Sequence, residues 1–136
     1  MKVKVTHLGN IRFAVETRGH ILFCDQPVEN GGDDTAMTPP ELLLASLGTC
    51  AEFYAVQYLK ARNLAETGCE VTVSAEKLKH PARLGDFRIL VNCPTALSDE
   101  QRDGLKRAVH HCLIHNTLLS SPGIELEVAV GGPVLQ

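Results

Sequence analysis

Apolar and polar residues alternate over three short runs at the start of the chain, Val3 to His7, Ile11 to Thr17 and Ile21 to Cys24. Alternation with a period of two is typical of β-strands. The runs are separated by Gly-Asn and Arg-Gly dipeptides, which favour tight turns. The pattern predicts a three-stranded antiparallel meander, followed by a loop over residues 25–37, where Pro, Asn, Asp and Gly are concentrated.

A long apolar segment follows this loop and begins with strong helix-start signals. Thr38 suits the cap, Pro39 suits the first helical position, and Glu41 completes a capping box. Between Glu41 and Lys60 only Glu52 is charged, and apolar residues fall on nearly every side. The segment therefore predicts a long helix that is surrounded by protein.

The second half of the chain contains another hairpin pattern and another helix pattern. Glu70 to Leu78 and Phe87 to Cys93 alternate and flank an HPARLGD turn. Ser98 and Gln101 repeat the capping-box spacing, and apolar residues then recur at helical spacing as far as Leu113. We expect a two-stranded hairpin and then one helix.

The end of the chain is predicted to be irregular over residues 116–123 and to form a final strand over residues 124–130, IELEVAV. The resulting order, βββ-α-ββ-α-β, indicates a single α+β domain over residues 1–136, with antiparallel sheet on one side of two helices. One sheet and one further helix give the long apolar helix little cover. We therefore infer an intertwined homodimer.

Charge and composition exclude several classes of protein. The net charge is −3, and the 13 Lys and Arg are scattered along the chain, which argues against a nucleic-acid partner. The start of the chain lacks the apolar core of a secretory signal. The apolar stretch Leu42 to Leu59 contains Glu52, so we reject a membrane span. Five cysteines without a CxxC spacing indicate free thiols and a cytoplasmic location.

Two cysteines, Cys50 and Cys112, lie on the apolar faces of the two predicted helices. If those helices pack together, the thiols form one dithiol site, and such a pair can reduce an oxidant and close a disulfide. Cys50 is about three turns into its helix, too far from the N-terminus to benefit from the helix dipole. Its activation requires a cation or a hydrogen-bond donor brought by folding, and without one it is a small core residue.

Other candidate groups have ordinary structural explanations beside the functional ones. His111 and His115 share a helix face with Cys112 nearby, which permits a metal site, but a second ligand cluster is absent from the sequence. Histidines near a helix end also stabilise its dipole. Arg18 is a candidate cation for a buried thiolate, or an exposed turn residue. The remaining cysteines, Cys24, Cys69 and Cys93, are expected to be structural.

Two motifs resemble those of a known family. The stretch DQPVENGGDDTAMTPPELLLASLGTC resembles the loop and central helix of the OsmC/Ohr family of osmotically induced and organic hydroperoxide resistance proteins, and CLIHNTL resembles its second cysteine motif. The resemblance covers nearly the whole chain. It implies an α+β fold in which two chains intertwine, with the long helices packed between sheets.

The resemblance also implies a mechanism. Cys50 would be the peroxidatic thiol that attacks the O–O bond, and Cys112 the resolving thiol that closes a disulfide. A dithiol reductant such as dihydrolipoamide would reopen it. Peroxidase members of the family carry a glutamate ten positions before the first cysteine and pair it with an arginine.

In this chain that glutamate position is Pro40, and Glu41 follows one residue later. The residue after the second cysteine, often proline in the family, is Leu113. Arg18, in the early hairpin, is our candidate for the arginine.

The leading hypothesis is a cytoplasmic, homodimeric peroxidase that reduces alkyl or lipid hydroperoxides in oxidative-stress defence, without metal or organic cofactor. The alternative is a non-catalytic protein that binds a hydrophobic small molecule, with thiols that are residual or redox-sensing. In either case the expected apolar walls of the binding site are Leu43, Leu47, Phe53 and Tyr54.

Overall fold

The computed structural model describes residues 1–132. Its first part is an antiparallel sheet with the strand order β1-β2-β3, in which Val5 lies opposite Val15, and Val15 opposite Leu22. The sharp turns between the strands place Asn10 and Arg18 at positive φ, 47° and 50°. The predicted meander is confirmed, with the strands β1 Lys4–Gly9, β2 Arg12–Thr17 and β3 His20–Cys24.

The long central helix, α1, spans Pro39–Ala61. The Thr38 hydroxyl accepts the N–H of Glu41 at 3.4 Å, and the Glu41 carboxylate accepts the N–H of Thr38 at 2.8 Å, so the predicted capping box forms. By length and composition alone α1 could cross a membrane, but core helices of soluble proteins meet the same criteria. Its buried face consists of Leu47, Ala51, Ala55, Tyr58 and Leu59.

The second hairpin packs its apolar face against α1. Strands β4, Glu70–Leu78, and β5, Arg83–Asn92, are antiparallel, and Val71 lies opposite Val91. Helix and hairpin approach closely at Gly48, because a Cβ atom there would lie 3.2 Å from Cγ2 of Val73. The predicted α+β class is confirmed.

One predicted helix is in fact two, which corrects the placement of Cys112. Helix α2 spans Asp99–Val109 and helix α3 spans Leu113–Leu119. The N–H groups of His111 and Cys112 bond to carbonyls three residues earlier, which tightens and ends α2. Cys112 has φ −56° and ψ 125°, outside the helical region, and is the N-cap of α3 rather than part of a helical face.

The predictions for the end of the chain are wrong in two respects. Residues 116–119, expected to be irregular, belong to α3. Residues 124–130, expected to be a strand, have no regular structure, and their apolar side chains Ile124, Leu126, Val128 and Val130 are each at least 79% exposed. A strand requires backbone partners, and the described part of this chain supplies none to that segment.

The N-terminal sheet is left largely uncovered. The helices pack on β4, β5 and one another, whereas the principal contacts of β1 to β3 are among themselves. Ile21, Leu22 and Phe23 are consecutive, so they point alternately to both faces of the sheet, yet all three are exposed by 44% or more. Apolar exposure of this kind marks an interaction surface.

The loop between β3 and α1 is organised around the buried carboxylate of Asp25. Its side chain is 1% exposed and accepts hydrogen bonds from the N–H of Gln26 at 2.8 Å, the N–H of Thr35 at 3.0 Å and the hydroxyl of Thr35 at 2.6 Å. These bonds lower the pKa of Asp25 to about 2, and the bonds from Thr35 have the largest effect. The ionised carboxylate therefore fixes the chain that leads into α1.

Acid should remove this contribution to stability. In the unfolded chain an aspartate carboxyl has a pKa of about 3.9. The stabilisation from Asp25 is therefore complete above about pH 4 and is lost as the pH falls through about 2. Asp25→Asn should lower the melting temperature at neutral pH, and the difference from the unmodified protein should shrink between about pH 4 and 2.

Thermal melts over that pH range check this expectation. Asp34→Asn, at a loop position with φ 52° that tolerates Asn, is the matched control and should melt like the unmodified protein. A difference between Asp25→Asn and the unmodified protein that does not change with pH would contradict the role assigned to the charge.

Candidate active site

The packing of α3 on α1 brings the two cysteines together. The thiols of Cys50 and Cys112 are close enough for each to shift the pKa of the other. Cys50 lies midway along α1 and is partly exposed, whereas Cys112 is completely buried. Both thiols are free, so the structure shows the reduced form of a possible dithiol site.

The first turn of α3 supplies donors to Cys50. Burial by itself raises the pKa of Cys50, but hydrogen bonds from the Cys112 thiol and from the backbone N–H groups of Ile114 and Leu113 outweigh it. The net effect is a lowered pKa, because each of these donors favours the thiolate. The hydrogen-bond donors that activation of Cys50 requires are therefore present within one chain.

The pKa of Cys112 moves in the opposite direction. Burial raises it first, and the hydrogen bond and the negative charge of Cys50 raise it further, against the lowering effect of the N–H groups of His115 and Ile114. The N–H of His115 lies 3.4 Å from the Cys112 sulfur. The two pKa values therefore move apart, so Cys50 is the thiol of the pair that ionises more readily and Cys112 the one that keeps its proton longer.

The sequence does not predict these backbone donors. Its apolar spacing predicts one helix through Leu113, and in a continuous helix the N–H groups of Leu113 and Ile114 would be bonded to carbonyls one turn earlier. The break at Cys112 leaves them free to point at Cys50. The apolar spacing of the HHCLIH segment contains no signal for this break, since it fits a continuous helix equally well.

Glu41 and Arg18 lie apart from this arrangement in a single chain. The Glu41 carboxylate is used in the capping box. Arg18 lies in the exposed turn between β2 and β3, and within residues 1–132 it is not among the groups that shift the pKa of Cys50. Within one chain the groups that lower the pKa of Cys50 are therefore neutral donors.

A large apolar cavity of about 1160 Å³ lies beside the site. It is lined by Leu43 and Leu47 as expected, and by Val109 and His115 on either side of Cys112. Further lining residues from the hairpin and α2 include Phe87, Ile89, Val91 and Leu105. Phe53 and Tyr54 are not part of this lining; their rings contact each other edge to face, with centroids 5.2 Å apart.

The histidines of the second motif do not converge as metal ligands. Across residues 1–132 no group of three or more His, Cys, Asp and Glu side chains is arranged to hold a metal ion. His115 instead packs against His110, with ring centroids 5.1 Å apart. Its buried Nδ1 atom has no hydrogen-bond partner among the described residues.

Solved structures with the same fold come from several bacteria. A Psychrobacter arcticus protein described as an osmotic stress induced and detoxification response protein matches with TM-score 0.79 and 21% identity, over 86% of this chain and 87% of that chain. An organic hydroperoxide resistance protein OsmC from Legionella pneumophila matches with TM-score 0.65 and 21% identity, over 87% and 89%. The organic hydroperoxide resistance protein OhrB of Bacillus subtilis matches with TM-score 0.61 and 20% identity, over 89% and 93%.

At these identities the structural likeness establishes the fold. No curated protein matches the chain. The sequence profile of one family, described as OsmC-like protein, matches residues 31–127, which include α1 and both cysteines of the candidate site. The chain therefore belongs to the OsmC-like protein family.

Proposed function

We propose that this protein is a thiol-dependent peroxidase that reduces organic hydroperoxides with Cys50 and Cys112. The observation that carries the proposal is the juxtaposition of the two thiols where α3 packs on α1, in surroundings that lower the pKa of Cys50 and raise that of Cys112. A thiolate is the nucleophile in such chemistry, and a neighbouring thiol is needed to resolve the product. Structural relatives named for organic hydroperoxide resistance support the reaction class.

The reaction begins with attack of the Cys50 thiolate on the O–O bond. Cys50 becomes a sulfenic acid and the hydroperoxide leaves as the alcohol after taking up a proton. The negative charge that raised the pKa of Cys112 is then gone, so Cys112 loses its proton more readily. Its sulfur attacks the Cys50 sulfur, water leaves, and a disulfide forms. An external dithiol of the lipoyl type restores both thiols by exchange and is itself oxidised to a disulfide.

The adjoining cavity supports an organic substrate. Its lining is mostly aliphatic and aromatic, and it includes Leu47, three residues before Cys50 in α1, and both flanks of Cys112. An alkyl or acyl chain gains free energy by leaving water for such a surface, whereas hydrogen peroxide has no group to place there. The proposed enzyme therefore prefers alkyl or lipid hydroperoxides.

A second copy of the chain is the proposed partner. The β1–β3 sheet exposes apolar residues on both faces, and residues 124–130 carry an alternating apolar pattern without a neighbouring strand in the part of the chain that the structure describes. Pairing of these surfaces between two copies would cover both at once and satisfy the backbone groups of the C-terminal segment. Arg18 could take part in the site only through such an arrangement, carried on the hairpin of the second subunit.

The same cavity also favours a second candidate function, the binding of a hydrophobic small molecule without turnover. Ligand pockets typically have volumes of about 300–1,000 Å³. The cavity, at about 1160 Å³, is therefore large enough to hold a small molecule. Native mass spectrometry of gently purified protein distinguishes the two. A stoichiometric bound molecule in a protein that consumes no hydroperoxide would favour binding.

Peroxide consumption tests the peroxidase proposal. With cumene hydroperoxide and dihydrolipoamide, the unmodified protein should turn over, and Cys50→Ser should reduce the rate to that of the buffer, because serine forms no sulfenic acid. With hydroperoxide but no dithiol, Cys112→Ser should consume one equivalent and accumulate a Cys50 sulfenic acid that a dimedone reagent traps, because an added thiol would reduce it. Cys24→Ala is the matched control, since Cys24 is buried outside the pair, and it should retain activity. Turnover that survives Cys50→Ser would contradict the proposal.

Light scattering tests the proposed dimer. The unmodified protein should have twice the chain mass of 14.8 kDa at micromolar concentration. Leu126→Asp should shift it toward the monomer, because Leu126 is 88% exposed in one chain and a charge there affects only contacts between copies. Glu125→Asp, at the neighbouring position, should remain dimeric. A monomeric unmodified protein would contradict this part of the proposal.

A further inference from the structure

The two cysteines that bracket the β4–β5 hairpin lie opposite one another. Glu70 pairs with Asn92 at the end of the ladder, so the next position outward places Cys69 opposite Cys93. Both side chains lie on the same face as Val71 and Val91, and pack with them against the hydrophobic core beneath α1. This second cysteine pair is separate from the pair at α3.

We propose that Cys69 and Cys93 form a second redox site, a dithiol that small anionic disulfides oxidise to a disulfide between the ends of β4 and β5. The proposal does not rest on the peroxidase function, since it involves neither Cys50 nor Cys112. It goes beyond the expectation from the sequence that these two cysteines are structural.

The strand register supports the geometry of such a bond. Opposed residues of an antiparallel pair have Cα atoms about 4.5–5.5 Å apart, and disulfides span Cα separations of about 4.4–6.8 Å. Both side chains also pack against the same hydrophobic core cluster, so they share one environment. Closing the bond therefore requires side-chain rotation without a change in strand pairing.

The environments of the two thiols differ. Cys93 lines the large cavity, whose rim also carries the cations Arg102 and Lys106. Cys69 does not line that cavity and lies close to the carboxylate of Glu52 on α1. Burial, the charge of Glu52 and the neighbouring Cys93 raise the pKa of Cys69 to about 12, so this thiol stays protonated at neutral pH. Cys93 is therefore the thiol that reacts with the oxidant first, and Cys69 reacts second.

The chemistry is two successive thiol–disulfide exchanges. The thiolate of Cys93 attacks a small disulfide RSSR, forms a mixed disulfide and releases RSH after protonation. Cys69 then gives its proton to Glu52 or to water, attacks the sulfur of Cys93 and releases the second RSH. In sum, two protein thiols are oxidised, one RSSR is reduced to two RSH, and atoms and electrons balance. Carboxylates on RSSR would be attracted by Arg102 and Lys106 at the cavity rim.

The proposal is tested in the Cys50→Ser/Cys112→Ser double variant, which leaves Cys24, Cys69 and Cys93 as the thiols. Equilibration with excess oxidised glutathione at pH 8 should reduce three titratable thiols to one, and peptide mapping should recover a Cys69–Cys93 disulfide. The oxidised protein should melt roughly 5–10 °C higher, because the new bond closes the hairpin. Three thiols that persist under these conditions would overturn the proposal.

Single replacements in this background test the order of the two steps, with circular dichroism to show that each variant is folded. Cys69→Ser should stop at one glutathione adduct on Cys93, whereas Cys93→Ser should form almost none. Glu52→Gln removes the charge next to Cys69 and should shift the pH dependence of disulfide closure to lower pH. Adduct formation on Cys69 as fast as on Cys93 would overturn the assigned order.

The unmodified protein provides a readout that does not depend on any replacement. Peptide mapping after the same oxidation should give the 69–93 linkage alongside any linkage of Cys50 with Cys112. If only the latter forms, the second site is refuted while the peroxidase proposal stands. If only the former forms, the second site is supported, and peroxide turnover remains the test of the peroxidase proposal.

Discussion

The hydrogen bonds that the start of α3 makes to Cys50 are the interaction on which the candidate site depends. Cys50 lies mid-helix in a partly buried position, where desolvation opposes ionisation. Its own helix cannot help, because every nearby N–H group of α1 is already bonded within the helix. A second chain segment has to present unbonded donors, and Cys112 and the two residues after it do so. The break between α2 and α3 is thus a functional feature of the fold.

The same contact creates the asymmetry between the two thiols. One hydrogen bond between sulfur atoms favours the thiolate at Cys50 and the protonated thiol at Cys112, and complete burial of Cys112 acts in the same direction. A proton held on the second sulfur until the first has reacted gives the pair an order of reaction. The pKa of Cys69 is also raised, first by burial and then by the charge of Glu52.

Much of the architecture follows from the sequence alone, because capping boxes and alternating runs are local signals. Thr38 with Glu41 and Ser98 with Gln101 set both helix starts as predicted. The errors are non-local. The break before Leu113 leaves the apolar spacing of the segment unchanged, and residues 124–130 have a strand pattern without a partner strand in the described chain. The sequence predicts the Cys50–Cys112 contact only on the condition that the helices pack together. The backbone donors and the Cys69–Cys93 pair become visible only in the three-dimensional structure.

The pH dependence of Cys50 alkylation tests the central claim most directly. Iodoacetamide reacts with the thiolate, and mass spectrometry of the Cys50 peptide gives the rate at each pH. The midpoint should lie below the value of about 8.5 for a free cysteine. It should rise in Cys112→Ala, which loses one donor, while the backbone donors remain. A midpoint at or above that of a free cysteine in the unmodified protein would contradict the account.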